Sequence, residues 1–456
     1  MDSLLNLKGF HSLSQQEYEG HLEIIVENRF KPQACPHCGF TQLYSHDKTE
    51  QIFFDTPMQG KPVVLKTQRV RYKCRSCGKT FREPLADIDD KRLMTTRLKE
   101  YIQKRSMGDT FAVVAREAGL DEKTIRHVFD DYVEAKSKEM PFETPRVLGI
   151  DELKLVGSYR CILTNIEKCS VFDMLPARKK ANVIQHLQSL KNPENVEIVA
   201  MDMWTTYRDS VKQVLPDAVI VIDKFHIVAT ASKCLEKARK AIRSQLERKE
   251  RIKLKNERFV LLKRRHSLTD EEVEKLQQWS AWFPDLGLAY DAKEAFYCLF
   301  DQGLDSKTAE QALIDWQRGL SPQIAHYFED LTKALRNWRP EILNGFDFDY
   351  EITNAYTESI NRYAKDVQRM GRGYSFDVVR AKMLYNAEAN KPTTNTIRKK
   401  NRKPFKEAPV FYLMADSLVG STSHKQRYTT EIIEEKRYYG AHIPTLCDLL
   451  EKGEFD

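Results

Sequence analysis

The fold is decided by a stretch that begins RVLGIDELKLV at residues 146–156 and continues through SYRCILTNI (158–166), SVFDMLPAR (170–178), KKANVIQHLQSL (179–190), VEIVAMDMW (196–204) and AVIVIDKFHIV (218–228). Short runs rich in Val and Ile are typical of strands, whereas the fourth segment has helical periodicity. The sequence therefore predicts three consecutive strands, a helix, a strand, a second helix and a last strand.

This order matches a ribonuclease H-like α/β fold, in which acids at adjacent strand ends meet. Asp151, Asp202 and Asp223 each follow an apolar run. Burying one carboxylate without a partner costs several kcal/mol, and any single one is more simply a strand-end residue facing solvent. Three such acids in one predicted sheet indicate a shared cation.

Two-metal chemistry needs about three carboxylates from distant positions, so one further acid is expected on a later element that returns to the sheet. Glu358 fits because Thr353–Arg362 opens a predicted helix that continues through Val367, with Glu358, Asn361 and Arg362 on one face. The alternative is an ordinary surface residue. Two Mg²⁺ or Mn²⁺ ions held by Asp151, Glu358 and either Asp202 or Asp223 would suit phosphodiester displacement.

Two cysteine pairs near the amino terminus predict a zinc site. Cys35-Pro-His-Cys38-Gly and Cys74-Arg-Ser-Cys77-Gly flank two β-rich runs separated by a turn-like break at Met58–Lys61. Paired thiolates joined by a hairpin are typical of a zinc ribbon with structural Zn²⁺, whereas unrelated cytosolic thiols seldom have this spacing. His37 and His46 are weaker candidates as ligands.

A helix-turn-helix pattern follows at Phe111 to Tyr132, after a predicted helix from Leu93 to Ser106. Gly119 occupies the turn, and Ile125 and Val128 form the buried stripe of the second helix. The exposed face of that helix is predicted to contact DNA through Lys123, Thr124, Arg126 and His127. Such helix pairs also occur as plain packing units.

Charge is concentrated in one segment of the chain. From Ser232 to Arg265 there are 14 Lys or Arg and 4 Asp or Glu, against a net charge of +7 for all 456 residues. A solvated helix face is the ordinary reading of such a run, but its excess favours a polyanion partner. Predicted DNA contacts here and in the later helical sequence are Arg239, Lys240, Arg243 and Trp338.

The composition and the amino-terminal sequence limit the class of protein to which the chain can belong. Apolar residues make up 41% and the mean hydropathy is -0.56, and no apolar stretch approaches the ~20 residues of a membrane helix. The sequence MDSLLNLKGFHSLSQQ lacks the features of a secretory signal. A cytoplasmic protein without membrane contact is expected, nucleoid-associated when bound to DNA.

Taken together, these motifs resemble the ISL3 insertion-sequence transposases of the DDE class over roughly residues 1 to 390. The resemblance rests on the cysteine pairs, the helix-turn-helix, Gly-Ile-Asp151-Glu152, Asp202-Met-Trp-x-x-Tyr207, Asp223-Lys-Phe-His226, and Asn354 with Glu358 and Asn361. It implies a bacterial enzyme that cuts and joins DNA, with Asp202 as the second catalytic acid. Asp223 and His226 are then supporting residues, and Asp223 has a lesser chance of ligating metal.

The resemblance further implies double-stranded DNA partners, namely terminal inverted repeats and target DNA, bound by a homodimer or higher homo-oligomer. Apart from the resemblance, Lys365, Arg369 and Arg372 flank the glycines expected to end the Glu358 helix and are predicted to lie near the cleaved phosphate. The expected architecture is multidomain α/β: a zinc ribbon (1–87), a helix-turn-helix domain (88–143), a ribonuclease H-like core in two parts (144–228 and 346–390), a helical insertion (229–345), and a basic linker with a tail (391–456).

Two other functions remain open. A zinc ribbon with a helix-turn-helix suffices for a non-catalytic DNA-binding regulator, whose strand-end acids would have no reason to converge. A nuclease or resolvase would keep the carboxylates and cleave without strand transfer.

Overall fold

The computed structural model describes residues 5–139, 142–256, 258–348, 352–386 and 390. The chain forms two compact units, one from residues 1–142 with 364–390 and the other containing residues 143–363. The linker and tail expected at 391–456 lie outside the described residues. No helix in the described segments is long and apolar enough to cross a bilayer.

The elements are numbered along the chain. The strands are β1 (Phe10–Glu17), β2 (Leu22–Asn28), β3 (Leu43–Met58), β4 (Lys61–Cys74), β5 (Thr80–Arg82), β6 (Ile88–Asp89), β7 (Met94–Thr95), β8 (Val147–Leu155), β9 (Ser158–Asn165), β10 (Ser170–Leu175), β11 (Ile198–Met201) and β12 (Val219–Ile222). The helices are α1 (Thr96–Gly108), α2 (Phe111–Ala118), α3 (Glu122–Glu139), α4 (Lys180–Gln188), α5 (Thr205–Val214), α6 (Lys224–Ser244), α7 (Arg248–Asn256), α8 (Arg258–Leu262), α9 (Asp270–Trp282), α10 (Pro284–Asp301), α11 (Ser306–Arg318), α12 (Pro322–Ala325), α13 (Glu329–Asn337), α14 (Arg339–Asp347), α15 (Ala355–Gly371) and α16 (Phe376–Tyr385).

The first unit is centred on one long hairpin. Its sheet has the order β1-β2-β4-β3-β7-β6, and β5 pairs with β4. Strands β3 and β4 pair from Leu43 and Cys74 to a tight turn at Gln59 and Gly60, which both have positive φ. The hairpin predicted between the two cysteine pairs is confirmed.

The two ends of this hairpin have different environments. Near the turn, Phe53, Val63 and Leu65 are fully buried and pack in one core with residues of β1 and β2. Toward the cysteines, residues 44–50 of β3 are exposed. Hydrophobic burial therefore holds the turn end, and the cysteine end lies outside that core.

Helices α1 to α3 form the predicted helix-turn-helix arrangement. Each begins with a side-chain cap, in which Thr95 accepts from the amide of Leu98, Thr110 from that of Val113, and Asp121 from that of Thr124. Gly119 ends α2 with a φ of 67°, and a Cβ there would lie 2.7 Å from Pro62 Cβ. Glycine is thus required by both the backbone and its neighbour.

Helix α16 belongs to this first unit, although its sequence follows the Glu358 region. The Lys382 ammonium is buried at the carboxyl end of α1, where it donates to the carbonyls of Ser106, Met107 and Asp109. Burial lowers the pKa of this lysine to about 8. The compact units thus divide the chain within α15, whereas the sequence assigned all of 346–390 to the catalytic core.

Replacing Lys382 by methionine is expected to destabilise the first unit by about 2–3 kcal/mol, because buried carbonyls lose a charged donor. Hydrogen exchange of the α1 amides in the full chain measures this effect. The matched control is Lys136→Met, since the Lys136 side chain is 30% exposed and pairs with the exposed Glu139. Equal protection of α1 in both variants would contradict the capping role.

The second unit contains a five-stranded sheet of order β10-β9-β8-β11-β12. Strand β9 is antiparallel to β8 and β10, and β11 is parallel to β8 and β12. All five strands predicted between 146 and 228 are confirmed. From β12 to α15 the described residues form helices without a strand, and Asn344 of α14 donates to the Ile220 carbonyl of β12 at 2.8 Å.

Candidate active site

Parallel register brings the three acids together, but only Asp202 and Asp223 follow the last residue of their strands. The strand-end position expected for Asp151 is wrong, because β8 continues to Leu155 in its pairing with β9. Ile150, Met201 and Ile222 are paired across β8, β11 and β12. Asp151, Asp202 and Asp223 are the next residues along their strands. Because neighbouring strands lie about 4.8 Å apart, the three acids start from one row at the same edge of the sheet.

Helix α15 packs on this sheet at a position that only glycine allows. A Cβ at Gly149 would lie 2.4 Å from Thr164 Oγ1 and 3.0 Å from Thr357 Oγ1, and these two hydroxyls share a hydrogen bond of 2.7 Å. Thr357 precedes Glu358, so this close approach fixes the height of the glutamate above the sheet. Asn354 adds a bond from its backbone amide to Asp223 Oδ2 at 2.9 Å.

Gly149→Ala is expected to destabilise the second unit by about 1–3 kcal/mol, because the added methyl group overpacks the contact between β8 and α15. All five tryptophans lie between residues 204 and 338, so tryptophan fluorescence during urea unfolding follows this unit. Gly345→Ala is the control, since its Cβ would meet Val221 Cγ1 at an ordinary 3.4 Å. A Gly149→Ala midpoint equal to that of the control would contradict the close approach.

Hydrogen bonds, an ion pair and close approach connect the acids. Asn361 Nδ2 donates to Asp151 Oδ2 at 2.6 Å, and the Glu152 amide donates to Asp151 Oδ1 at 2.7 Å. His226 Nε2 lies 2.7 Å from Asp202 Oδ1. The ligand atoms of Asp223, His226 and Glu358 all lie within 4.8 Å of one another. The structure thus brings together every catalytic and supporting residue predicted for this site.

The electrostatics of the cluster are dominated by burial and by like charges. Burial, then the adjacent Asp202, raises the pKa of Asp151 well above its ordinary value. Burial and then Asp223 raise the pKa of Glu358 to about 7. Burial acts to lower the pKa of His226, but the carboxylates, Asp202 first, outweigh it and raise the pKa to about 10.

Four carboxyl groups and one imidazole therefore converge, and raised carboxyl pKa values are what closely spaced, buried acids show when no cation is bound. Carboxylate oxygens are the hard ligands that Mg²⁺ and Mn²⁺ prefer. The donor set therefore fits a divalent ion, and the group whose ligand atoms lie within 4.8 Å of one another is Asp223, His226 and Glu358, which shares only Glu358 with the predicted set of Asp151, Asp202 and Glu358. Asp223 belongs to this group, whereas the sequence analysis gave it a supporting role and only a lesser chance of binding metal.

The four paired cysteines form a second cluster, in the first unit. Cys35 Sγ lies 3.7 Å from Cys77 Sγ, and Cys38 Sγ lies 3.6 Å from Cys74 Sγ. Zn–S bonds of about 2.3 Å in a tetrahedron require sulfurs about 3.8 Å apart, so this spacing fits zinc. Gly39 and Gly78 follow the pairs with φ of 75° and 70°. The predicted zinc-binding set is confirmed as four cysteines.

The residues predicted to read DNA lie on α3. Lys123, Arg126 and His127 are exposed. Thr124 is half-buried, and its hydroxyl donates to Asp121 at 2.7 Å, so it also serves the helix cap. Of the four predicted contacts, those open to solvent are therefore two cations and one imidazole.

Two side chains predicted to contact DNA lie in the interior. Arg239 is 2% exposed, pairs with Glu236 and donates to the Leu254 carbonyl at 3.0 Å. Trp338 is 5% exposed, with the Arg208 guanidinium 4.3 Å from its ring centroid. Because both serve internal packing, we remove them from the candidate DNA surface.

The remaining predicted contacts differ in exposure. Lys240, Arg369 and Arg372 are exposed, and Arg243 and Lys365 are half-buried. Arg369 forms an ion pair with Asp366. Trp282, on the helical segment, is 56% exposed, unlike Trp338. Sequence reasoning missed this contrast because a tryptophan in a helix gives no signal of which way it faces.

Comparisons with known proteins match the segments that contain these clusters. Residues 148–383 match a family profile described as "Transposase", residues 31–77 match the zinc finger of the IS204/IS1001/IS1096/IS1165 transposases, and residues 83–133 match the helix-turn-helix domain of transposase family ISL3. The transposase for insertion sequence element IS1001 of Bordetella parapertussis is 25% identical over 264 residues. That match covers 56% of this chain and 65% of the relative.

Proposed function

Because the chain belongs to the ISL3 family of transposases, we propose that it binds the terminal inverted repeats of an insertion sequence and cleaves and joins DNA strands there. Asp151, Asp202 and Glu358 are proposed to hold two divalent ions for this chemistry. One observation carries the proposal. Acids up to 207 residues apart in sequence converge around His226: Asp202 pairs with it at 2.7 Å, Glu358 lies within 4.8 Å of it, and Asp151 is held by Asn361.

The ribonuclease H-like fold belongs to the same proposal. Three antiparallel strands at one side of the sheet, followed by two parallel strands with intervening helices, support it. The helices between β12 and α15 are then an insertion within this core. Such a core places strand-end acids and a late helix at one edge, which is the arrangement that the chemistry requires.

The ions, when bound, would activate water or a DNA 3′-hydroxyl and stabilise the departing oxygen. The chain's own residues hold the ligands in place. Asn361 orients Asp151, and the protonated His226 orients Asp202. Asp223 accepts from the amides of Phe225 at 3.0 Å and Asn354 at 2.9 Å, which ties the starts of α6 and α15 to the sheet. We therefore keep Asp223 and His226 as supporting residues.

DNA binding is proposed for both units separately. In the first unit, α3 offers Lys123, Arg126 and His127, with Thr124 at the helix start, and Lys365, Arg369 and Arg372 follow the Glu358 region. In the second unit, Lys240 and Arg243 remain from the basic segment. Cations of this kind bind DNA phosphates and so supply affinity that does not depend on the DNA sequence. A homo-oligomer on DNA in the bacterial cytoplasm is part of the proposal.

A strand-transfer assay tests this function. Inverted repeats flanking the gene supply labelled DNA ends, and Mg²⁺ is expected to yield joined products with target DNA. Cleavage of the ends without joining would identify a nuclease. Binding of the ends without cleavage in Mg²⁺ or Mn²⁺ would identify a DNA-binding regulator.

A further inference from the structure

Arg178, in the connection between β10 and α4, contacts three separate segments of the second unit. Its guanidinium carbon lies 4.1 Å from the ring centroid of Tyr159 and 4.4 Å from that of Trp204. Its Nη1 forms an ion pair with Glu152. A planar guanidinium that stacks on rings and pairs along its edge is fixed in both position and orientation.

Two of these contacts border the catalytic acids. Glu152 follows Asp151, and its amide donates to Asp151 Oδ1 at 2.7 Å. Trp204 lies two residues after Asp202, and its amide donates to the Asp202 carbonyl at 2.7 Å. Arg178 therefore links the backbone beyond Asp151 to the backbone beyond Asp202.

Arg178 does not belong to the acid cluster itself. Consecutive residues of a strand point to opposite faces of the sheet, so the Glu152 side chain lies on the face away from Asp151. Any influence of Arg178 on the carboxylates passes through Glu152 and Trp204. It is thus a candidate positioning residue and not a catalytic one.

A DNA contact is the competing explanation for an arginine beside aromatic rings. The side chain of Arg178 is 33% exposed. However, it is already engaged by Tyr159, Trp204 and the Glu152 carboxylate. Binding a phosphate would require breaking the pair with Glu152, so the geometry favours a structural link over a phosphate ligand.

We propose that Arg178, stacked on Trp204 and paired with Glu152, is a brace that sets the separation of the Asp151 and Asp202 carboxylates for metal binding. This inference rests on the proposed metal-dependent function. The brace is expected to matter for metal affinity because groups behind metal ligands typically change affinity by about 10-fold to 100-fold.

The test measures Mn²⁺ binding to the full-length, zinc-loaded protein by the electron paramagnetic resonance signal of free Mn²⁺. Arg178→Gln and Trp204→Leu are each expected to raise the Mn²⁺ dissociation constant about 10-fold. The double variant is expected to be no weaker than the worse single variant, because both remove one link. Arg178→Lys keeps the charge without the planar stack and is expected to bind Mn²⁺ more weakly than wild type.

Arg146 provides a matched control in the same sheet. It pairs with Glu167 and Glu197, and so links the segments that precede β8 and β11, at the end opposite the acids. Arg146→Gln is expected to leave the Mn²⁺ dissociation constant unchanged. An equal rise in Arg146→Gln and Arg178→Gln would mean general loosening of the sheet and would overturn the brace.

The other outcomes are also decisive. Unchanged Mn²⁺ affinity in Arg178→Gln and Arg178→Lys, with weaker binding of DNA ends, would replace the brace with a DNA contact. Unchanged affinity for both ligands would leave Arg178 without either role. Wild-type protein that binds no Mn²⁺ beyond the Asp151→Asn variant would refute the proposed metal chemistry itself, which separates the two failures.

Discussion

Asp202→Ala is expected to abolish DNA cleavage and joining while leaving the binding of DNA ends intact. Asp202 lies half-buried at the end of β11, within reach of both Asp151 and His226. Its loss removes a proposed metal ligand and leaves the His226 imidazolium without its 2.7 Å partner. Removing one residue of a catalytic set that acts as a unit removes most of the rate enhancement, so the cleavage rate is expected to fall about 10³-fold or more.

Labelled ends in Mg²⁺, with binding measured separately by gel shift, distinguish chemistry from recognition. Asp217→Ala is the matched control, because Asp217 is an exposed aspartate just before β12 in the same unit. Asp223→Ala gives the sharper comparison. If Asp223→Ala abolished cleavage and Asp202→Ala did not, the assignment of the second catalytic acid would be reversed.

The row of acids was predictable in large part because local sequence specifies it. Apolar runs of β-branched residues predict buried strands, and Asp202 and Asp223 do lie where such runs end. The same rule failed for Asp151, because β8 continues to Leu155 through its pairing with β9. The parallel register that pairs Ile150, Met201 and Ile222 then follows from the order of strands and helices. The zinc cluster was predictable for a similar reason, since each cysteine pair carries its own spacing signal.

The position of Glu358 relative to the sheet was not predictable from these patterns. It depends on Gly149 meeting Thr164 and Thr357, residues separated by up to 208 positions along the chain. A small residue in a strand and two threonines elsewhere give no sign that they touch. The same limit applies to Arg239, whose charge suggested an exposed face although the helix buries it against Glu236 and the Leu254 carbonyl.

Cys74→Ser is expected to release zinc and to unfold only the cysteine end of the β3–β4 hairpin. Cys74 is buried at the end of β4, where it pairs with Leu43 and its amide donates to the Lys79 carbonyl at 3.0 Å. Structural zinc in small domains supplies about 10–16 kcal/mol of binding free energy, and three thiolates hold it far less well than four. The exposed residues 44–50 have no comparable hydrophobic support.

Hydrogen exchange and zinc content of the full-length variant measure this effect. Protection is expected to be lost around residues 43–50 and 67–82 and retained near Phe53, Val63 and Leu65, which lie in the apolar core. Cys169→Ser, a half-buried cysteine outside the zinc cluster, is expected to keep zinc and protection. Bound zinc in Cys74→Ser at the wild-type level would contradict a four-cysteine site.

The extent of unfolding also decides how the first unit binds DNA. Gly119 packs on Pro62 beside the hairpin turn, and α1 is capped by Lys382, so the helix-turn-helix is anchored at the apolar end. If Cys74→Ser weakens the binding of DNA ends while α1 to α3 stay protected, the zinc end must itself contact DNA. If binding is unchanged, α3 suffices for recognition, and the zinc serves only the outer hairpin. Loss of protection throughout α1 to α3 would instead show that zinc supports the whole unit. That result would contradict the division of the β3–β4 hairpin into an apolar end held by burial and a cysteine end held by zinc.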